Sequence, residues 1–264
     1  MRWTEFRKSL RIFGSRLSAG FRRKTSNHQQ PQIVIEDDEL LISLLPGTTN
    51  RLVLAFTGMD VVRGRRDRIE FAAVASAGGS HVLFINDVLR CWYSRPGQRG
   101  RIITFVTEFM QSHGIGELRS IGNSMGGYGA VLFCGYLPIT HAAAFAPQLL
   151  MTPDVLAKPH WLQSRHRMEA DLVQDLGPIM LQSRAAFTLV FGDRDADDII
   201  HTANVPMAAN IDLLMLPGCD HKAARWLKEI GALSKLAAAM LDGRRDEIEQ
   251  FRQTLAPQDL PQAA

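Results

Sequence analysis

The chain has 264 residues, of which 46 % are hydrophobic, which suits one α/β domain with appendages and a buried core. Its net charge of +3 is uneven, because residues 1–30 carry eight Lys or Arg and one Glu, whereas the remainder is mildly acidic. No apolar run approaches the length of a membrane span, and three scattered cysteines indicate neither a disulfide framework nor a Cys-x-x-Cys metal site.

Residues 1–30 have the pattern of a basic amphipathic helix. Apolar side chains recur at steps of three and four and would share one helical face: Trp3, Phe6, Leu10, Phe13, Leu17 and Phe21. Arginines and lysines fill most of the other face, which is typical of a helix lying on an anionic membrane surface. A helix docked on the body or on a partner subunit is the alternative, as is a transit-like segment. No secretory signal is indicated, so we expect a cytoplasmic protein, either free or peripheral at the inner membrane face.

A polar linker leads to the edge of a predicted sheet. Ile33–Ile35 and Leu40–Leu45 predict an antiparallel hairpin, and Arg51–Phe56 predicts a fully apolar strand that runs into Thr57-Gly58-Met59. An apolar strand that ends in glycine marks the carboxyl edge of a parallel sheet. Ligand chemistry gathers along that edge.

The next segment offers candidate substrate-binding residues. Residues 65–77 have helical spacing, and His81–Ile85 predicts another buried strand. Asp87, Trp92 and Tyr93 follow that strand, where the wall of a pocket is expected, and an aromatic pair with a carboxylate suits recognition of a sugar or a polar ester. The alternative is that the two aromatic side chains only pack the loop down, as buried aromatics usually do.

The sharpest feature is a predicted turn between a strand and a helix. Residues 99–113 predict a helix, Leu118–Ile121 a strand, and Gly122-Asn-Ser-Met-Gly126 a tight corner before the next helix. Such a corner exposes the Oγ of Ser124 at the positive end of that helix and needs small residues where the backbones crowd. A phosphate-binding helix start is the alternative, but no Lys-Ser/Thr pair follows and Gly-x-Gly-x-x-Gly does not fit.

The second half of the chain supplies a lid candidate and two more groups of functional side chains. Thr140–Phe145 predicts a strand, and residues 148–184 exceed an ordinary connection, so they are a candidate lid; a surface excursion with short helices is the alternative. Four carboxylates follow the predicted strand Ala185–Phe191. A calcium loop of EF-hand type would need glycine and glutamate where Asp198 and Asn204 stand, so we expect no metal.

The last strand is predicted at Ile211–Leu216, and His221 follows it. A helix is predicted over Lys222–Leu241. Residues 243–264 predict a charged helix and a frayed tail.

The G-x-S-x-G corner and the order Ser124, Asp195, His221 resemble the α/β-hydrolase superfamily over residues 33–241. The resemblance implies a mostly parallel central sheet with helices on both faces. It implies Ser124 as nucleophile and His221 as base. Asp195 would be the acid and Asp193 the second candidate, because Gly-x-x-Asp after this strand resembles the family's acid turn.

The same resemblance implies an oxyanion hole made by backbone amides. Where the family commonly has His-Gly, this chain has Thr57-Gly58, and the amides of Met59 and Met125 would be the donors. The implied chemistry is an acyl-enzyme on Ser124 that needs no cofactor. A serine esterase acting on an acylated saccharide or small ester is the first interpretation.

Two other interpretations remain. An acyltransferase or a thioesterase would use the same triad. A non-enzymatic hydrolase-like protein recruited to a membrane or partner through residues 1–30 belongs to another functional class. No nucleic-acid partner is expected.

Overall fold

The computed structural model describes residues 30–59 and 69–255. The predicted amphipathic helix over residues 1–30, except for its last residue, and the predicted tail after residue 255 therefore lie outside the described residues. Residues 60–68, which follow the candidate oxyanion loop, also lie outside them.

A mixed sheet organises the described part of the chain. Its strands are β1 (Gln32–Glu36), β2 (Leu40–Leu45), β3 (Arg51–Phe56), β4 (His81–Asp87), β5 (Glu117–Asn123), β6 (Ile139–Phe145), β7 (Ala186–Gly192) and β8 (Ile211–Leu216). Their spatial order is β1-β2-β4-β3-β5-β6-β7-β8. β2 pairs antiparallel with β1 and β4, and the other neighbours are parallel, so the predicted hairpin and the mostly parallel sheet are confirmed.

β3 after Arg51 and the middle of β4 are apolar because both faces of the sheet are covered there. Every residue of β3 after Arg51 is buried, and β4 is buried from Val82 onward. In β5 and β6 small residues such as Ser120 and Ala142 lie among larger ones.

The helices are α1 (Ala72–Ala75), α2 (Gln98–His113), α3 (Met125–Leu132), α4 (Pro153–Leu156), α5 (Gly177–Gln182), α6 (Ala196–Ala203), α7 (Ala223–Glu229), α8 (Leu233–Asp242) and α9 (Arg245–Leu255). α2 buries Ile102, Val106 and Phe109, which lie on one face at steps of four and three. α3 packs against β3, β5 and β6, and α8 packs against β5 and β6. Within the described ranges, no helix is long and apolar enough to cross a membrane.

Two helix predictions need correction. The single helix predicted over Lys222–Leu241 is two helices, α7 and α8, separated at Gly231, whose φ of +76° an uninterrupted right-handed helix cannot contain. The helix predicted over residues 65–77 is described only from residue 69 onward. There it is reduced to the single turn of α1, followed by a 3₁₀ turn at Ala77–Gly79.

The region predicted as a lid has short helices and turns. It contains α4, 3₁₀ turns at Pro159–Trp161 and Arg165–Arg167, and α5. An isolated antiparallel bridge between Leu150 and Asp175 closes this excursion where it leaves and rejoins the body. It follows β6, so it starts from the carboxyl edge at which β3, β5, β7 and β8 also end.

Candidate active site

Ser124 sits at a strained corner between β5 and α3. Its φ of 55° and ψ of −119° lie in a region that non-glycine residues rarely occupy, a cost that persists only when the surroundings enforce it. The Ser124 N–H donates to the carbonyl of Phe145 at 2.8 Å, which ties the corner to β6. A Cβ on Gly122 would overlap the carbonyl of Gly126, and one on Gly126 would overlap the carbonyl of Phe56. The corner can therefore form only with glycine at both positions.

His221 brings the end of β8 to this corner. The Ser124 Oγ lies 2.9 Å from Nε2 of His221, and Nδ1 of the same ring lies 2.7 Å from Oδ1 of Asp198. A carboxylate only accepts hydrogen bonds, so Nδ1 carries the proton and Nε2 accepts from the serine hydroxyl. The structure thus joins a serine, a histidine and an aspartate in one hydrogen-bonded line.

The aspartate in this line, Asp198, is neither of the two that the sequence predicted as the acid. Asp195 is the N-cap of α6, where its carboxylate accepts the amides of Asp197 and Asp198 at 3.0 and 3.1 Å. Asp193 accepts the amide of Gly218 at 2.6 Å and so holds the loop after β8. Neither carboxylate contacts His221, because each is engaged with backbone. Asp198, in the first turn of α6, occupies the position predicted for Asp195.

Burial and charge act in opposite directions on the histidine. Burial disfavours its charged form, but the hydrogen bond and charge of Asp198, with the charges of Asp195 and Asp220, outweigh it, so the pKa of His221 lies above its ordinary value. Burial also raises the pKa of Asp198, against the lowering effect of its bond to His221.

The candidate oxyanion donors lie at the ends of β3 and β5. Met125 is the first residue of α3, so its amide has no carbonyl partner within the helix. Met59 follows β3 and borders the same cavity as Ser124. The preceding amide, that of Gly58, donates to the carboxylate of Glu70 at 3.0 Å and fixes the loop after β3. The end of β3 packs against the start of α3, since Phe56 and Gly126 are in backbone contact.

Gln148, which no sequence pattern singled out, also reaches the nucleophile. Its Nε2 donates to the Ser124 Oγ at 3.2 Å, and its Oε1 accepts from Nε1 of Trp92 at 2.6 Å. Both side chains are buried. Trp92 is thus linked to Ser124 through the side-chain amide of Gln148.

The three predicted substrate-binding residues do not line the cavity. Asp87, Trp92 and Tyr93 are buried, and the Asp87 carboxylate accepts the amides of Cys91 and Tyr93 at 2.8 and 3.2 Å. Trp92 and Tyr93 both have positive φ, and both side chains are fully buried. Burial raises the pKa of Asp87, against the lowering effect of the bonds that it accepts. The segment therefore fits the alternative interpretation from the sequence, in which Trp92 and Tyr93 only pack the loop against the body of the protein.

A cavity of about 1190 Å³ opens beside Ser124 and His221. Ile69, Phe71 and Val74 form an apolar wall from the segment before and within α1. The lining also includes polar groups on α7, and Trp161 and Ser164 come from the region predicted as a lid. The cavity therefore offers an apolar surface and a polar one within reach of the same serine.

In the part of the chain that the structure describes, no group of three or more His, Cys, Asp or Glu side chains could hold an ion. The cysteines Cys91, Cys134 and Cys219 are buried free thiols. Burial raises the pKa of Cys219, which lies two residues before His221, to about 12, so this thiol stays protonated beside the site.

Solved structures resemble this chain in fold. Est1E from Butyrivibrio proteoclasticus matches with a TM-score of 0.54 and 11 % identity, over 84 % of this chain and 99 % of that one. FphF, a fluorophosphonate-binding serine hydrolase of Staphylococcus aureus, matches with a TM-score of 0.53 and 14 % identity, over 79 % and 97 %. The capsule O-acetyltransferase of Neisseria meningitidis serogroup A gives 0.50 and 12 %, over 87 % and 97 %.

No family model matches the sequence, and no curated protein does. At these identities the likeness concerns the fold, and the assignment of chemistry depends on the residues of this chain.

Proposed function

Since this chain has the α/β-hydrolase fold, we propose that it is a serine hydrolase of the carboxylesterase type, with Ser124 as nucleophile, His221 as base and Asp198 as acid. One observation carries the proposal. The three side chains form an unbroken line of hydrogen bonds at the carboxyl edge of the sheet, at 2.9 and 2.7 Å. Three elements far apart in sequence supply them, and packing alone does not require that convergence.

The geometry supports a two-step acyl transfer. As the Ser124 Oγ attacks the ester carbonyl, its proton passes to Nε2 of His221, and Asp198 holds the imidazolium by Nδ1–H. The carbon–oxygen bond to the alcohol breaks, and His221 gives its proton to the leaving oxygen. Water then attacks the acyl-enzyme, loses a proton to His221, and releases the carboxylic acid as Oγ regains a proton.

Backbone amides are suited to the negative charge of the tetrahedral intermediate. The amide of Met125 begins α3, where the helix dipole also favours an anion, and the amide of Met59 is the proposed second donor. One such donor typically lowers the barrier by about 3 kcal/mol. With these two amides stabilising the intermediate, the proposed chemistry needs no cofactor.

The cavity supports an ester with a bulky polar alcohol part. The apolar wall at Ile69 and Phe71 suits an acyl chain, and Asn123, Lys222 and Arg225 line the cavity with polar groups. Its volume exceeds what a short simple ester fills. An acylated saccharide is the substrate class that we propose, with Trp161 in place of Trp92 and Tyr93 as the aromatic contact.

Acyl transfer to another alcohol is the second candidate, because the acyl-enzyme serves both reactions. The capsule O-acetyltransferase among the similar structures favours it. Acetyl donors, including thioesters, should be supplied with and without saccharide acceptors. Acetylated saccharide as the main product would establish a transferase. Release of free acetate from oxygen esters would establish an esterase, and release of acetate from thioesters alone would establish a thioesterase.

We propose separately that residues 1–30 bind an anionic membrane surface and that the protein is otherwise cytoplasmic. The apolar stripe flanked by arginines supports it. Liposomes rich in anionic lipid should sediment the full chain and not a chain that lacks residues 1–30. Equal sedimentation of both chains would contradict this proposal and would favour docking of residues 1–30 on the body of the protein or on a partner.

The experiment that tests the hydrolase is covalent labelling with a fluorophosphonate probe. The wild type should be labelled at Ser124, and Ser124→Ala and His221→Ala should not react. Ser164→Ala is the matched control, because Ser164 also borders the cavity but does not belong to the hydrogen-bonded line. A folded wild type that stays unlabelled would favour the non-enzymatic binding protein.

A further inference from the structure

The Ser124 Oγ has a second hydrogen-bond partner besides the histidine. Gln148, three residues after β6, donates to it from Nε2 at 3.2 Å, and the glutamine is itself buried. Oγ therefore lies between a donor, Gln148, and an acceptor, His221. Of the two, only His221 can take a proton from the serine hydroxyl.

The orientation of the Gln148 amide follows from its other partner. The indole of Trp92 has one polar group, an N–H that can only donate, so the atom facing it at 2.6 Å has to be the amide oxygen. The amide NH₂ then points toward Oγ. At the far end of the line Asp198 can only accept, so every proton in the line points from Trp92 toward Asp198.

From this line we propose that Gln148 is a further catalytic residue, a donor to the reacting oxygen of Ser124, and that Trp92 is the positioning residue that orients it. The proposal builds on the serine hydrolase proposed above. It also gives Trp92 a role that differs from the predicted one, because its indole acts on the nucleophile through Gln148 and contacts no substrate.

The position of Gln148 distinguishes it from the oxyanion donors. Met59 follows β3 and Gln148 follows β6, and β5, which carries Ser124, lies between these two strands. The glutamine thus approaches Ser124 from the side opposite the loop of Met59. Its hydrogen bond goes to Oγ, the atom that forms the bond to the acyl carbon and later leaves it.

A donor at Oγ assists when that atom carries charge. During acylation Oγ becomes more negative as its proton moves to His221. During deacylation Oγ takes the electron pair of the breaking bond to the acyl carbon and receives its proton from Nε2 of His221. The Gln148 N–H stabilises the oxygen at both moments, and in the resting enzyme it leaves the serine proton directed at His221.

Three variants test the proposal against a merely structural role. Gln148→Met keeps the length of the side chain but removes the donor, and Trp92→Phe keeps an aromatic ring but removes the N–H. Trp226→Phe on α7 is the matched aromatic control. We expect Gln148→Met to slow fluorophosphonate labelling and deacylation about 10- to 100-fold, Trp92→Phe to have a smaller effect, and the double variant to be no slower than Gln148→Met.

Gln148→Glu supplies a readout that packing cannot mimic. The introduced carboxyl group can still donate to Oγ while it is protonated, whereas its ionised form would repel the developing charge. The labelling rate of this variant relative to the wild type should therefore fall as pH rises. Folded variants with wild-type labelling rates, additive effects of the two substitutions, or a pH-independent ratio for Gln148→Glu would each overturn the proposal. A wild type that is not labelled would instead mean that the hydrolase proposal has failed.

Discussion

The Asp198 Oδ1 lies 2.7 Å from Nδ1 of His221, whereas the carboxylate of Asp195, at the start of the same helix, faces the helix amides. One turn of α6 thus separates a carboxylate that caps a helix from one that hydrogen-bonds to His221. The cap fixes where α6 begins and hence where Asp198 lies in its first turn.

This separation predicts opposite results for two amide substitutions. Asp198→Asn should lower kcat about 10⁴-fold, because an amide at this position favours the wrong tautomer of His221. Asp195→Asn should stay near the wild type, because asparagine caps helices as well as aspartate does. Ester turnover and helix content by circular dichroism measure the two effects. Comparable losses of turnover in both folded variants would contradict the assignment of Asp198.

The raised pKa of His221 predicts the pH dependence of the reaction. The base is active only when neutral, so kcat/KM should rise with pH through a pKa above the ordinary histidine value of about 6.5. In Asp198→Asn the hydrogen bond and charge that raise this pKa are lost while the burial that lowers it remains. The acid limb of the kcat/KM profile of that variant should therefore lie at lower pH, and its plateau value of kcat/KM should be much lower.

The matched control for the pH profile is Asp195→Asn. Asp195 raises the pKa of His221 only by its charge at a distance, so its removal should move the acid limb less than Asp198→Asn does. Profiles of kcat/KM across the neutral range would be compared for the three proteins. An acid limb of the wild type below that of Asp198→Asn would reverse the expected sign.

The sequence predicted the parts of the site that follow directly from strands. Ser124 directly follows the buried strand β5, His221 lies in the loop after β8, and the glycines around Ser124 mark the corner. The acid was harder to predict, because four carboxylates crowd one short segment after β7. The preference of aspartate for the N-cap was the signal that would have assigned Asp195 to the helix and left Asp198 free.

Other features depend on backbone conformation that periodicity does not encode. The loop of Trp92 and Tyr93 has positive φ at both residues, and because neither is a glycine the sequence did not indicate this conformation. Gln148 belongs to no sequence pattern; its contact with Ser124 depends on the position of β6 beside β5.

The crowding at the nucleophile corner predicts a sharp contrast between two glycines. Gly126→Ala should lower the free energy of unfolding by about 3 kcal/mol, because the added Cβ meets backbone at the end of β3, which cannot move without displacing the sheet. Gly100→Ala should raise it by about 0.5 kcal/mol, because the new methyl group on α2 meets nothing within 4 Å and alanine favours helix. Urea denaturation measures both, and equal stabilities would contradict the close approach of β3 to α3.

A pair of buried tyrosines tests the finding that Tyr93 packs the loop. Within the described residues the Tyr93 hydroxyl has no hydrogen-bond partner, whereas that of Tyr128 donates to the carbonyl of Val173 at 2.9 Å. Tyr93→Phe should therefore leave the free energy of unfolding unchanged or raise it, because it removes a desolvated polar group. Tyr128→Phe should lower it by about 1 kcal/mol.

The same pair separates packing from substrate binding. The Tyr93 ring lies edge-on to Phe56 and Phe133, with centroids 5.7 and 5.5 Å away, and phenylalanine preserves both contacts. Burial, with the charge of Asp87, raises the pKa of Tyr93 well above its ordinary value, so the hydroxyl stays neutral and takes no part in proton transfer. Tyr93→Phe should thus keep the wild-type kcat/KM toward acylated saccharides. A rise in KM at unchanged stability would return Tyr93 to the substrate-binding role that the sequence predicted.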